Sequence, residues 1–302
     1  MRYHLFIIIS SCYGGMFFQQ AVSLNQRSGS SIKSFTHKFY ILRHGETDAN
    51  AAGIIQGSSD FSRLTSGGRV QARNLGLGLR EDSKLCMPSN VYISPLTRAK
   101  DTWEIVKSCF EEVIVDANID VPNKEERLEH ILDNLREIDF HSWEGMQKDE
   151  IKAKYPKSYA GWKAGDPHCL AVYDDYIEEN GEIRTLTKFP LLDLWERADN
   201  VWNEIHSIES EYMLKQVSNN DELMSSSSLL VCHGSLGQAL VGSAIGRDAN
   251  FFREAEFPNC GMVEIEWSIH LGSDSDQKGQ ADRWRWLRPT VTDWNNVEHW
   301  LL

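Results

Sequence analysis

The sequence predicts an α/β fold in which helices cover both faces of a central sheet, on three observations. Three short apolar runs, Phe39-Tyr40-Ile41-Leu42, Val91-Tyr92-Ile93 and Leu229-Leu230-Val231, are rich in β-branched and aromatic residues and read as buried strands. Each is followed by a turn and then by a helical pattern, and strands alternating with helices build such a layered sheet. A hydrophobic content of 41% with 10% aromatic residues is enough to bury its core.

Taken in order, the 302 residues open with a leader-like segment, residues 1–37. Arg2 precedes an apolar stretch from Leu5 to about Phe18, and Ala21-Val22-Ser23 supplies small residues suited to cleavage. That stretch is too short and too interrupted by glycine to make a stable membrane span. Leu24 to Lys38 is Ser-rich and basic with no acidic residue, which is transit-peptide composition. A signal followed by a transit segment suits an algal-type plastid, with the secretory pathway as the alternative. Residues 38–302 then form a single domain.

Within that domain Ser94-Pro95 is expected to cap and open a helix running to about Ser108. Residues 166–190 form an irregular stretch with Gly, Pro and acids, long enough for a lid or insertion. Ser225 to Ser228 reads as a low-complexity loop, Leu236 to Ile245 as a helix and Met262 to Trp267 as a strand. A polar loop from Leu271 to Gln280 leads into a tail bearing Trp284, Trp286, Trp294 and Trp300, read as packing residues. Cys12 lies in the leader. Cys86, Cys109, Cys169, Cys232 and Cys260 are odd in number and irregularly spaced, without a C-x-x-C pair, and read as reduced, mostly buried thiols.

The formal charge of −13 argues against a nucleic-acid surface, so an anionic substrate must be held by a few local cations. Those cations stand at the strand ends. The first strand ends in Arg43-His44-Gly45-Glu46-Thr47-Asp48-Ala49-Asn50 and the third in Cys232-His233-Gly234-Ser235, so strand, histidine, glycine and helix occur twice. Glycine allows a sharp bend and a close approach to a ligand, and a helix N-terminus offers free N–H groups to an anion. Arg98 sits in the first turn of the helix after strand two, where a cation is unfavourable unless an anion lies alongside. Two histidines, two arginines and several backbone donors suit a phosphoryl group, whose charge spreads over oxygens that guanidinium forks match.

On these residues the chain resembles the histidine phosphatase (phosphoglycerate mutase-like) superfamily. Its signature is similar to Arg43-His44-Gly45-Glu46-Thr47 with Asn50, and further blocks follow in order. They are Ile55-Gln56-Gly57-Ser58-Ser59-Asp60 with Leu64-Thr65 and Gly68, Ser94-Pro95-Leu96-Thr97-Arg98-Ala99, Leu135-Arg136-Glu137-Ile138-Asp139 with Trp143-Glu144-Gly145, and Cys232-His233-Gly234. Asn259-Cys260-Gly261 recurs near the C-terminal end. Residues 56–62, 135–139, Phe189-Pro190 and Leu194-Trp195-Glu196-Arg197-Ala198 look most like the plant and algal plastid branch that includes 2-carboxy-D-arabinitol-1-phosphate phosphatase.

The resemblance implies a three-layer sandwich with a mostly parallel mixed sheet, and hydrolysis of a small phosphomonoester, a sugar or sugar-acid phosphate, with no metal or cofactor. It implies that His44 is phosphorylated and that Glu137 is proton donor and later base. Arg43, Arg98, His233 and Asn50 would form the phosphate pocket, backbone donors near Gly234 and Ser235 would close it, and Gln56 and Gly57 would touch the substrate. Three departures stand out. The 60–65 loop is one residue longer than the usual form, Lys188-Phe189-Pro190 replaces the usual Gly-Glu-Ser, and the Arg-Arg-Ser-Tyr segment of glycolytic mutases is missing.

Three rivals are open at this level. A phosphoglycerate-type mutase would pass the phosphoryl to a second hydroxyl, and a non-catalytic phosphate-binding regulator would keep the pocket without turnover. A serine hydrolase would use Ser235 in a nucleophile elbow with Asp282 and His299, but His233 stands where that elbow needs glycine. The oligomeric state is left open.

Overall fold

The computed structural model describes residues 34–81, 88–117, 128–170, 172–177, 183–219, 226–254, 257–272, 283–286 and 290–291. In chain order the elements are β1 (Ser34–Arg43), α1 (Asp48–Ala51), α2 (Ser66–Glu81), β2 (Asn90–Ile93), α3 (Thr97–Ala117), β3 (Leu128–Ile131), α4 (Lys148–Lys154) and α5 (Pro156–Ala164). They continue with β4 (Val172–Ile177), β5 (Ile183–Lys188), α6 (Pro190–Asn219), β6 (Ser226–Cys232), α7 (Gly234–Ala244), β7 (Met262–Gly272), β8 (Arg283–Trp286) and β9 (Thr290–Val291). The main sheet runs β3-β2-β6-β1-β7-β8, with β9 also on β7. β3, β2, β6 and β1 are mutually parallel, and β7 returns antiparallel to β1. The α/β sandwich with a mixed, mostly parallel sheet is therefore as expected.

Side-chain alternation explains the layers. Along β1, Phe39 and Ile41 join a core with Ala198, Trp202 and Ile205 of α6 and Leu236 and Leu240 of α7. Tyr40 and Leu42 point the other way, to Leu75 of α2 and Trp103 of α3. Both faces are apolar because both are covered, as a parallel sheet requires.

Four boundaries differ from the sequence reading. β1 starts at Ser34, upstream of the boundary placed at residue 38, and His37 is fully buried in it. Ser94-Pro95 does not open the helix, which begins at Thr97. The carboxylate of Asp60 takes the first-turn N–H of Thr97 at 2.8 Å and its hydroxyl at 2.7 Å, supplying the cap from a distant loop. Ser226 to Ser228 are not loop but strand, because β1 pairs with all three and β2 with Ser228. The stretch 166–190 is not wholly irregular, since β4 and β5 form an antiparallel ladder within it. Residues 1–33, Cys86, the loop from 273 to 280, and Asp282, Trp294 and His299 lie outside the described residues. No helix among the described residues is long and apolar enough to cross a membrane.

Candidate active site

Register places the two histidines together. Arg43 of β1 is level with Cys232 of β6, and the backbone N–H of His44 donates to the Cys232 carbonyl at 3.0 Å. The residues that follow, His44 and His233, leave adjacent strand ends with ring centroids 5.2 Å apart in an edge-on arrangement. Next in the sheet, Ser94 follows β2 and its hydroxyl lies 2.7 Å from His233 Nε2. This is the carboxyl edge of the parallel strands, where ligands bind in such sheets.

The nucleophile candidate is held in one tautomer. His44 Nδ1 lies 2.7 Å from the Gly45 carbonyl oxygen, which can only accept, so Nδ1 carries the proton and Nε2 keeps its lone pair. Burial, then Arg98 and Arg43, push the His44 ring well below the usual histidine range, and the bond to Gly45 only partly opposes them. Burial and the same two arginines, together with His44, do the same to His233. Both rings are neutral at pH 7. The Gly45 turn is packed backbone on backbone, since a β-carbon there would meet the Gly68 carbonyl at 2.6 Å and one at Gly68 would meet the Glu46 carbonyl at 2.0 Å. Gly45 N–H is anchored on Thr102 Oγ1 at 3.0 Å.

The arginines are held by carbonyls. Arg98 is fully buried, and its two terminal nitrogens donate to the carbonyls of Ser59 at 2.8 Å and Gly57 at 2.7 Å. Burial pulls its guanidinium down to about 10, opposed by Glu137, Asp60 and Glu144, so it stays cationic at neutral pH. Arg43 donates to the Phe257 carbonyl and lies against Gly234. Arg43 Nε, Arg98 Nε and His233 Nδ1 are buried without a hydrogen-bond partner among the described residues. Native proteins rarely leave such groups unmatched, and here all three belong to one strand-end cluster.

Glu137 lines the same cavity and is bonded at the start of α7. Its carboxylate accepts the backbone N–H groups of Ser235 and Leu236, each at 3.0 Å, and of its neighbour Ile138 at 2.9 Å. The amide of Ser235, expected to close around phosphate, is thus already bonded to an anion, because the positive end of α7 attracts the nearest carboxylate. Asn50 is partly committed as well. Its side-chain oxygen accepts from Thr47 Oγ1 at 3.0 Å and from Asn259 Nδ2 at 3.2 Å, closing the cap of α1. Gln56 is buried and accepts a hydrogen bond from the Ser62 hydroxyl. His44, Arg43, Arg98, Glu137, Asn50, Gln56, Gly57, Gly234 and Ser235 all line one cavity of about 510 Å³. His233 supports that site from behind and is not among the cavity-lining residues.

Four further residues act on the site without having been assigned a role from the sequence. Asn259 Nδ2 donates to the His44 carbonyl at 3.1 Å, while Cys260 N–H reaches the carbonyls of Arg43 and His44. Arg197 of α6 donates to the Glu137 carbonyl at 3.0 Å. Glu144 binds the amides of Ser58 at 2.9 Å and Ser59 at 3.1 Å, and so holds the loop whose carbonyls grip Arg98. Gly57 is required there, with φ +55° and no room for a β-carbon beside the Glu144 carboxylate. The repeated motif blocks signalled the segments, but the partners follow only from the folded loops.

Residues 39–270 match the profile of the histidine phosphatase superfamily, branch 1. The chain belongs to this superfamily. Among curated members of the histidine phosphatase superfamily, it is 32% identical over 248 residues to the "Probable 2-carboxy-D-arabinitol-1-phosphatase" of Arabidopsis thaliana, covering 80% of this chain and 41% of that protein. It is 30% identical over 233 residues to the 2-carboxy-D-arabinitol-1-phosphatase of Triticum aestivum, covering 77% of this chain and 37% of that protein. The chain thus spans about two fifths of the length of these relatives. Among solved structures, a mycobacterial glucosyl-3-phosphoglycerate phosphatase is 23% identical with a TM-score of 0.54, covering 83% of this chain and 97% of that one. Bacillus stearothermophilus YhfR is 22% identical with a TM-score of 0.53, covering 82% and 94%. These likenesses support the α/β sandwich expected of a histidine phosphatase.

Proposed function

We propose that this chain hydrolyses a small phosphomonoester, a sugar or sugar-acid phosphate, through a phosphohistidine at His44. One observation carries the reading: a neutral imidazole, locked by Gly45 so that Nε2 keeps its lone pair, lines a cavity framed by the buried Arg98 and the partly buried Arg43. Nε2 attacks phosphorus in line with the ester oxygen, the N–P bond forms as the P–O bond breaks, and the guanidinium groups take the oxygen charge. The alcohol leaves with a proton from Glu137, which must first swing from the α7 amides. Glu137 then accepts a proton from the water that attacks phosphorus, and inorganic phosphate leaves with His44 neutral again.

The relatives' names support a phosphatase acting on a sugar-acid phosphate. A metal has no part in the proposed chemistry. Ser235 as a serine nucleophile is disfavoured because such an enzyme leaves Arg43, His44 and Arg98 without a task.

The test is acid-labile, base-stable trapping of phosphate during turnover. His44→Ala is expected to remove both trapping and hydrolysis, and a variant that keeps hydrolysis removes the mechanism. Glu137→Gln is expected to slow alkyl phosphates far more than aryl phosphates with good leaving groups. Equal loss on both takes the acid role from Glu137. Transfer of label to an added alcohol instead of water supports a mutase, and binding of phosphate without turnover supports a regulator.

A further inference from the structure

Asn50 lines the cavity, and its planar side-chain amide offers an acceptor on one arm and donors on the other. Which arm faces a phosphoryl group decides whether the residue attracts or repels it. Its neighbours settle the choice. The backbone N–H of Thr47 lies 3.3 Å from one arm and can only donate, so that arm is the oxygen. The Thr47 hydroxyl donates to the same oxygen at 3.0 Å and accepts in turn from the Asn50 backbone N–H at 3.2 Å. Asn259 supplies a third donor, with Nδ2 at 3.2 Å. Three donors fill the lone pairs of Asn50 Oδ1, while Asn50 Nδ2 has no hydrogen-bond partner among the described residues.

Asn259 is oriented by the same logic. Its nitrogen lies between Asn50 Oδ1 and the His44 carbonyl, at 3.2 and 3.1 Å, and both of those oxygens only accept. One NH2 group therefore spends both hydrogens tying the amide of Asn50 to the backbone of His44. The turn that carries it is locked to the end of β1. The Gly261 carbonyl accepts from the Arg43 N–H at 3.0 Å, and the Cys260 N–H donates to the carbonyls of Arg43 at 3.1 Å and His44 at 3.2 Å. Within the turn the Gly261 N–H returns to the Pro258 carbonyl at 2.9 Å, and a β-carbon at Gly261 would meet that carbonyl at 2.8 Å. Cys260 is held at φ +55°, a conformation that persists in a non-glycine residue only where its surroundings impose it. Asn259 thus reaches Asn50 from a base anchored on the strand that ends beside His44.

We infer that Asn259 is a positioning residue for the phosphoryl pocket: it turns the Asn50 amide so that its N–H donors face the phosphoryl oxygens, and it ties that amide to His44. The inference rests on the phosphatase reading and deepens it, by adding a residue that acts on the phosphoryl only through another. An Asn50 amide turned the other way would present a lone pair to an anion. A donor aimed beforehand costs no reorganisation when the phosphoryl arrives.

The test is a double-mutant cycle on the binding of orthovanadate, a phosphoryl mimic, to wild type, Asn259→Ala, Asn50→Ala and the double variant, measured by isothermal titration. Asn259→Ala is expected to weaken vanadate binding at least fivefold when Asn50 is present and less than twofold when it is absent. A residue that only props up the fold would weaken both backgrounds alike. Asn259→Leu, which fills the same space without a donor, is expected to follow the alanine variant, so that lost volume is not the cause. Equal losses in the two backgrounds, no loss at all, or a wild-type chain that binds no vanadate overturns the role of Asn259. The phosphatase reading is judged apart from this, by whether the wild-type chain hydrolyses p-nitrophenyl phosphate.

Discussion

The two ends of the parallel strands β1, β2 and β6 are both polar, in opposite ways. At their amino ends His37, Asn90, Tyr92 and Ser228 gather around Glu209 of α6, which is fully buried. Its carboxyl group accepts from the Tyr92 hydroxyl at 2.8 Å, from Asn90 Nδ2 at 3.0 Å and from the Ser228 hydroxyl. Burial raises that carboxyl above its usual range, and the three donors only partly oppose it. At the carboxyl ends Arg43, Arg98 and His233 each keep one buried nitrogen without a hydrogen-bond partner among the described residues. In the first cluster the buried carboxyl group is matched by three donors and serves the fold, whereas the second has hydrogen-bonding capacity to spend on a ligand.

The contrast predicts that the two ends fail differently. Glu209→Ala should cost roughly 3 kcal/mol of stability, because it strands three buried donors, while kcat/KM per folded molecule stays near wild type. Urea unfolding and active-site titration check this, and a loss of turnover without loss of stability would show that the ends are coupled. Arg98→Lys should do the reverse. It keeps the charge but loses the fork to Gly57 and Ser59, and should lower kcat/KM by about 10²–10³-fold with a smaller shift in the urea midpoint.

Acid should weaken the fold through every histidine buried neutral, those near the amino ends as well as His44 and His233. Burial pushes His37 and His206 down to about 3 each, with His206 adding to the effect on His37. Between that value and the unfolded histidine pKa the unfolded chain binds more protons, so stability falls as pH drops from about 6.5. The loss should reach about 2 kcal/mol per ring near pH 5, read from urea midpoints across the pH series. A flat profile from pH 7 to 5 would mean these rings are not buried neutral. The mildest change is Glu144→Gln, which weakens the loop holding Arg98 without touching substrate. It should lower kcat about tenfold with KM little altered, and Glu144→Asp should fall in between.

The carboxyl end was legible in the sequence because residue types there are unusual for their position. A histidine and glycine after a buried strand, or an arginine in a helix's first turn, ask for an anion. The fold end was not legible, since Glu209 lies in a helix rich in exposed acids and reads like any solvated face. Only the parallel register, which levels Asn90 with Ser228 and Ser228 with Phe39, shows that its neighbours face it. Ser94 was misread as a helix cap because sequence spacing cannot reveal that its hydroxyl turns to His233. That the Glu137 carboxylate meets the first amides of α7 was not legible, because a chain read residue by residue does not show that α7 begins beside it.

The backbone contact between Gly45 and Gly68 links the His44 ring to a helix that is absent from the cavity wall. The carbonyl that selects the His44 tautomer belongs to the turn pressed against the start of α2, with no methyl-sized slack on either side. A side chain gained at position 68 would therefore be felt as a misaimed lone pair some way off, an injury to chemistry caused by crowding alone.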